Sequence, residues 1–290
     1  MKKFAFSLLE LSVSLVVVSL LMAMVSQGIK VVASSRLTTA RSLTSKSPVP
    51  TIPGLIAWYE TTSVDSLKAG EAVDGKQIST WYDISPDSIP ARKNTLTRTA
   101  SSAVVFESDG INKLPSVKFT GSSGIGLVDF YQGSFKQNTV FYVIEPLIIP
   151  TGSANVIVDS GHTDVDGSNV AAFGLVTSTT MQWIYGISVV PSTSPITFVA
   201  GQDYTGTTYY NGSVSKAYIN NASTMVTGTT MNPGTNTLQG IKIGCDRNNA
   251  YCLNGLISEI IVYNRPLQLQ ERKDVMGYLG KKYGIVVTGL

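Results

Sequence analysis

The chain has 290 residues, only 14% of them charged, and its 22 basic against 19 acidic side chains leave a formal charge of +3. That content is too apolar for a disordered chain, and no run of Lys and Arg interleaved with aromatics marks a nucleic-acid surface, so nucleic acid is excluded as a partner. The length supports a core of useful size, as one large domain or two ordinary ones, and the Gly, Ser, Thr and Val content suits many short strands joined by turns.

The amino terminus reads Met1-Lys-Lys-Phe-Ala5, followed by an apolar stretch from Phe6 to Val25 interrupted by one charge, Glu10. At about 1.5 Å per residue, a helix over this stretch matches the hydrocarbon thickness of a bilayer, and it lacks a polar face. A single membrane-spanning helix is expected over 6–33. Glu10 is the anomaly, because a carboxylate near the start of such a segment costs about 2–3 kcal/mol in lipid and calls for a partner.

Lys2 and Lys3, then Phe6-Ser-Leu-Leu-Glu10, resemble the start of type IV pilins and type II secretion pseudopilins, with Ala5 where that family usually has Gly. The resemblance implies a leader over residues 1–5, cleavage between Ala5 and Phe6 by a prepilin peptidase, and methylation of the new Phe6 amine. It also implies pairing of Glu10 with a neighbouring subunit during fibre assembly. The basic residues Lys30, Arg36, Arg41 and Lys46 beyond the span oppose the positive-inside rule. The leader motif is given priority. The expectation is a bacterial inner-membrane protein, single-pass, whose carboxy-terminal domain lies outside the cytoplasm, alone or in a periplasmic or cell-surface fibre.

Residues 34–53 are rich in Ser, Thr and Pro, with prolines at 48, 50 and 53, and are expected to form an extended linker. From Gly54 the pattern changes to short β-like runs: 55–59, 78–82, 139–144, 155–158, 181–185, 241–244 and 256–263. Asn211-Gly212, between 207–210 and 214–219, is a tight-hairpin signal. Residues 267–282 carry a helical pattern in which Leu269, Val275, Met276 and Leu279 share a face, with Gly284 as its stop. The fold class expected is mainly β: an amino-terminal transmembrane helix, then a two-sheet sandwich or jelly roll, then a carboxy-terminal helix.

The stretch from Gly255 through Glu259 to Arg265-Pro-Leu267, with Glu271-Arg272, Gly277-Tyr-Leu279 and Lys282-Tyr-Gly-Ile285, is similar to the ending of bacterial laminin-G-like, concanavalin-A-like domains. Leu55-Ile-Ala-Trp58 and Trp81-Tyr-Asp83 fit the early part of that pattern. This resemblance implies a jelly roll over 54–286 with the last helix packed against it.

Chemistry is sparse. The paired-carboxylate string of laminarinase-type glycosidases is missing and Glu259 stands alone, so no enzyme is expected. His162 sits in a polar loop with no nucleophile elbow around it. No cofactor is expected; Asp164, Asp166 and Asn169 form a partial calcium-loop pattern, held as the minority reading. Trp58, Trp81 and Trp183, with Tyr185, Tyr204, Tyr209 and Tyr210, are expected mainly in the core. Cys245 and Cys252 bound a polar loop and are expected as a disulfide of an exported domain, the open alternative being two buried thiols.

The leading expectation is a prepilin-like minor subunit displaying a laminin-G-like domain for adhesion to glycans or surface proteins. The alternatives are a membrane-tethered polysaccharide-processing enzyme of the same fold, and a signal-anchored surface protein that does not assemble.

Overall fold

The computed structural model describes residues 8–86, 89–98, 104–122, 124–162, 171–185, 188–193, 197–212, 214–220, 222–224 and 237–287. It opens with helix α1, Leu8–Ser45, about 57 Å long at the standard rise. Its first two thirds are apolar and exposed on every side, including Leu15, Leu21 and Met24. Among the described residues, it is the one helix long and apolar enough to cross a membrane.

The extended linker expected from residue 34 is corrected, because α1 continues to Ser45. No Gly or Pro interrupts 34–45, and Pro48 stops the helix only beyond that point. Leu37, Ala40, Leu43 and Thr44 recur at helical spacing and turn toward the rest of the chain; Ala40 and Thr44 are buried there. Polar neighbours hide this face in the sequence. A short 3₁₀ turn, Val49–Thr51, then leads into the head.

The strands, in chain order, begin with β1 Leu55–Glu60, β2 Thr80–Trp81, β3 Leu96–Arg98, β4 Val105–Glu107, β5 Ser116–Thr120, β6 Ile125–Leu127, β7 Asn138–Pro146 and β8 Asn155–Asp159. They continue as β9 Ala171–Thr177, β10 Thr180–Tyr185, β11 Ser188–Thr193, β12 Tyr204–Tyr210, β13 Lys216–Ile219, β14 Ala222–Thr224, β15 Ile241–Ile243 and β16 Asn254–Tyr263. One sheet runs β14-β13-β12-β7-β16-β5-β4, with β1 also paired to β16. The other runs β11-β10-β9-β8-β15-β6-β3-β2, and neighbouring strands in both are antiparallel. The β12–β13 hairpin pairs Tyr209 with Lys216, so its connection is longer than the tight turn expected at Asn211-Gly212.

Alternation along the first sheet separates two cores. Val140, Tyr142 and Ile144 of β7, with Ile257, Ile260 and Val262 of β16, face the second sheet and meet Ile125, Ile157, Phe173 and Ile243. The intervening residues Phe141, Val143, Ile261 and Tyr263 face the other way, with Trp58. They pack under α1 and helix α2, Leu269–Tyr283. Gln268 and Glu271 close the start of α2 as a reciprocal capping box, and Gly284 ends it in the left-handed region at φ 66°. Val275, Met276 and Leu279 are buried as expected, but Leu269 is 48% exposed because it lies in the first turn, beyond the sheet.

Of the aromatics singled out in the sequence, Trp58, Trp81, Tyr204 and Tyr210 are buried. The side chains of Trp183 and Tyr185 lie outside the described residues.

Candidate functional site

The densest chemistry lies on the helix-covered face of the first sheet. Glu60 ends β1, and the antiparallel register sets it directly opposite Glu259 of β16. A bulge places Glu259 on this face: Ile257 pairs with Ile144 and Glu259 with Val143, so Ser258 is the extra residue. The Ser258 hydroxyl is 2.6 Å from that of Ser116 on β5.

Helix α2 delivers a cation to this pair. Tyr278, Leu279 and Lys282 are three and four positions apart and all turn inward. Lys282 Nζ donates to Glu60 Oε2 at 2.9 Å and to Glu259 Oε2 at 2.8 Å, and all three side chains are fully buried. Glu259 Oε1 also accepts from Trp58 Nε1 at 2.7 Å and Tyr278 Oη at 2.9 Å, and its Oε2 accepts from Tyr283 Oη at 3.0 Å. Glu60 accepts from the Thr62 amide and hydroxyl, the Ser63 amide and the Ser66 hydroxyl. Thr44 of α1 reaches the rim, its Oγ1 3.3 Å from Tyr278 Oη.

Burial opposes the ionised form of Glu60, but Lys282 and the Thr62 donors outweigh it and hold the carboxyl below its ordinary value. Burial pushes Glu259 up, with Glu60 adding to the effect, and Lys282 offsets only part. Burial alone would lower Lys282; Glu259, Tyr283 and Glu60 hold it well above its ordinary value. These carboxylates are engaged on every side and closed to solvent. In this state they clamp α2 to the sheet, and the end of α1 meets them through Tyr278.

Beside the clamp, the last turns of α1 and the loops after β1 and β2 enclose an open cleft of ≈ 380 Å³. Trp58, Ile84, Pro50 and Pro86 supply apolar wall, with Arg41 and Asp65 as its charged groups. Arg41 is pinned by its Nε, which donates to Thr62 O at 2.7 Å. The clamp and the cleft share Trp58, whose indole N–H is turned inward to Glu259.

At the opposite sheet, Cys245 and Cys252 are joined in a disulfide that closes the loop between β15 and β16. The loop holds Arg247, whose amide and guanidinium donate to buried Asp159 Oδ2 at 3.0 and 3.2 Å. Burial raises the Asp159 carboxyl even so.

Ala5 and Phe6, and the calcium candidates Asp164, Asp166 and Asn169, lie outside the described residues. Glu10 sits in the first described turn of α1. Among the described residues, no group of three or more His, Cys, Asp or Glu side chains converges as a metal site. Sequence reasoning stopped β1 at Tyr59 and left Glu259 alone, so it missed Glu60 and the roles of Lys282 and Arg41. The charge at the end of the apolar run Leu55–Glu60, and the spacing that sets Lys282 on the helix face of Tyr278 and Leu279, were the available signal.

No family model and no curated protein matches the sequence. Solved structures do match in fold. Domain 4 of AbnA, a GH43 extracellular arabinanase from Geobacillus stearothermophilus, in complex with arabinotriose, superposes with a TM-score of 0.53 at 17% identity. That match covers 77% of this chain and 98% of the domain. An arabinofuranosidase complexed with arabinofuranosyl-alpha-1,2-xylobiose gives 0.56 at 12% identity, over 73% of this chain and 52% of that one. Trypanosoma rangeli sialidase in complex with sialic acid gives 0.52 at 16% identity, over 79% and 33%. This chain thus spans about a third of the sialidase and about half of the arabinofuranosidase.

These matches correct the expectation of a non-enzyme. The chains that share the fold come from an arabinanase, an arabinofuranosidase and a sialidase, so a missing carboxylate string does not remove the chain from enzyme folds.

Proposed function

We propose that the chain is a membrane-tethered polysaccharide-processing protein, in which α1 is the tether and the β-sandwich is a head that engages the glycan. The observation that carries this reading is the match over nearly the whole of an arabinanase domain held with arabinotriose. The head is read as a concanavalin-A-like, laminin-G-like jelly roll; its two antiparallel sheets and the helix laid on one face support that class. Placement outside the cytoplasm is supported by the disulfide, which persists in oxidising compartments. The test is a glycan array and a product assay on the full chain in lipid nanodiscs, using arabinan and a panel of plant and bacterial polysaccharides. Retention of at least one glycan is expected. No binding and no released product across the panel would overturn the reading.

A second reading concerns the tether. Lys2, Lys3 and the Phe6–Glu10 motif support a prepilin-like subunit, and so does a helix that runs unbroken from Leu8 into its seat on the head. In that reading the peptidase cuts after Ala5, and Glu10 meets the amino terminus of a neighbouring subunit. Mass spectrometry of the mature amino terminus decides it: a methylated Phe6 is expected, and an intact Met1 sinks it.

A further inference from the structure

We propose that the cleft between the end of α1 and the head is a subsite for one acidic sugar residue, a carboxylate-bearing saccharide unit held by Arg41; this rests on the carbohydrate reading above and names its substrate class. At ≈ 380 Å³ the cleft falls in the range of small-molecule sites.

Its chemistry is uneven in a way that suits such a residue. Trp58 is 4% exposed and its indole N–H is spent on Glu259, so only a carbon edge of it floors the cleft, and Ile84, Pro50 and Pro86 continue that apolar wall. Carbon surface of this kind suits the C–H face of a sugar ring. Arg41 is exposed, and among the described residues only its Nε is engaged, on Thr62 O. That bond fixes the plane of the guanidinium and leaves its terminal N–H groups for a ligand. A planar fork held in place is the side chain best matched to a carboxylate, through two parallel charge-assisted hydrogen bonds. Asp65 lines the same cleft and accepts hydroxyl hydrogens, but it repels a second carboxylate. The subsite therefore takes a single acid unit with neutral neighbours.

The cleft exists only because α1 is seated. Arg41, Thr44 and Ser45 come from the helix, and Trp58, Asp65 and Ile84 from the head. The Lys282 clamp and the Thr44–Tyr278 contact set the distance between these two walls. Arg41 lies about 13 Å along the helix axis from Val32, near the end of the exposed apolar stretch, so the subsite sits close to the membrane surface in the tethered reading.

The test uses the full chain in phosphatidylcholine nanodiscs and titration calorimetry with a trisaccharide that carries one carboxylate, xylobiose bearing a single glucuronic acid, and with its carboxyl-reduced neutral form. The acidic trisaccharide is expected to bind about tenfold more tightly. Arg41→Gln is expected to bring the two within about twofold and Arg41→Lys to keep part of the difference, with thermal midpoints little changed. Equal binding of the two trisaccharides by the natural chain, or a preference that survives Arg41→Gln, overturns the subsite and leaves the carbohydrate reading standing. Failure of every glycan overturns both. Displacement of the acidic trisaccharide by soluble glycerol 3-phosphate, together with loss of its binding in phosphatidylglycerol nanodiscs, shows the cleft to be a lipid-headgroup site and overturns the proposal.

Discussion

The two faces of the first sheet are built by different physics. The face toward the second sheet is mainly apolar: Ile257, Ile260 and Val262 of β16 meet side chains of the same kind, and a well-packed set of similar volume would serve there. The face toward the helices is also apolar over Phe141, Val143 and Ile261, but it buries Glu60, Glu259 and Lys282 together. Hydrophobic burial is non-directional and says only that two layers meet. A buried charge set, satisfied in one geometry alone, also specifies where α2 sits, and Tyr278 passes that placement to α1 through Thr44. On this protein that matters because the seat of α1 forms one wall of the cleft.

The comparison breaks most sharply at Lys282. Lys282→Met leaves two buried carboxylates without their cation and is expected to lower stability by about 3–5 kcal/mol, read by urea unfolding. Adding Glu60→Gln and Glu259→Gln to it is expected to recover a large part, since the uncompensated charges are then gone. A loss below about 1 kcal/mol for Lys282→Met would falsify the clamp. On the apolar face, Ile257→Ala is expected to cost about 3 kcal/mol through lost burial and the cavity left behind. No second substitution of a charged group should rescue it, and that contrast separates the two faces.

A smaller effect is expected in acid. Glu60 is held below its ordinary carboxyl value, so its contribution is complete above about 4.5 and is lost as pH falls through the lower folded value. Lys282 is raised, so its share is complete below about 10.5 and is lost only as pH rises through the still higher folded value. The acid limb of a stability–pH curve should therefore flatten in Glu60→Gln, while the range from 6 to 9 changes little in shape.

The smallest effect on the head is expected from α1 itself. Val17→Arg lies on the exposed apolar stretch and should leave head stability within about 0.5 kcal/mol. Membrane insertion should fall by about 2.5–3.5 kcal/mol, measured by partition into vesicles. A large change in head stability would show that this part of the helix packs on the head.

Much of the architecture was legible because it repeats locally. Aromatic and β-branched residues in 139–144 and 256–263 marked the strands, and Val275, Met276 and Leu279 marked α2. What was not legible depended on partners remote in sequence. Residues 34–45 look like a linker because Ser, Thr and Arg dilute Leu37, Ala40 and Thr44, and that face has meaning only against the head. Glu259 looks solitary because its two partners stand in the first strand and the last helix, and Glu60 is 222 residues from Lys282.

By itself the sequence determined an apolar amino-terminal stretch of membrane-spanning length, a β-rich body and a carboxy-terminal helix, because hydrophobic period and turn chemistry are properties of neighbours in the chain. Only the tertiary structure decided that the first helix continues to Ser45. It also decided that one extra residue at Ser258 sets Glu259 under the helices, and that Arg41 and Trp58 meet across a cleft. Each of those outcomes is set by which surfaces come together when the sheets stack and the helices dock, and spacing along the chain does not encode it.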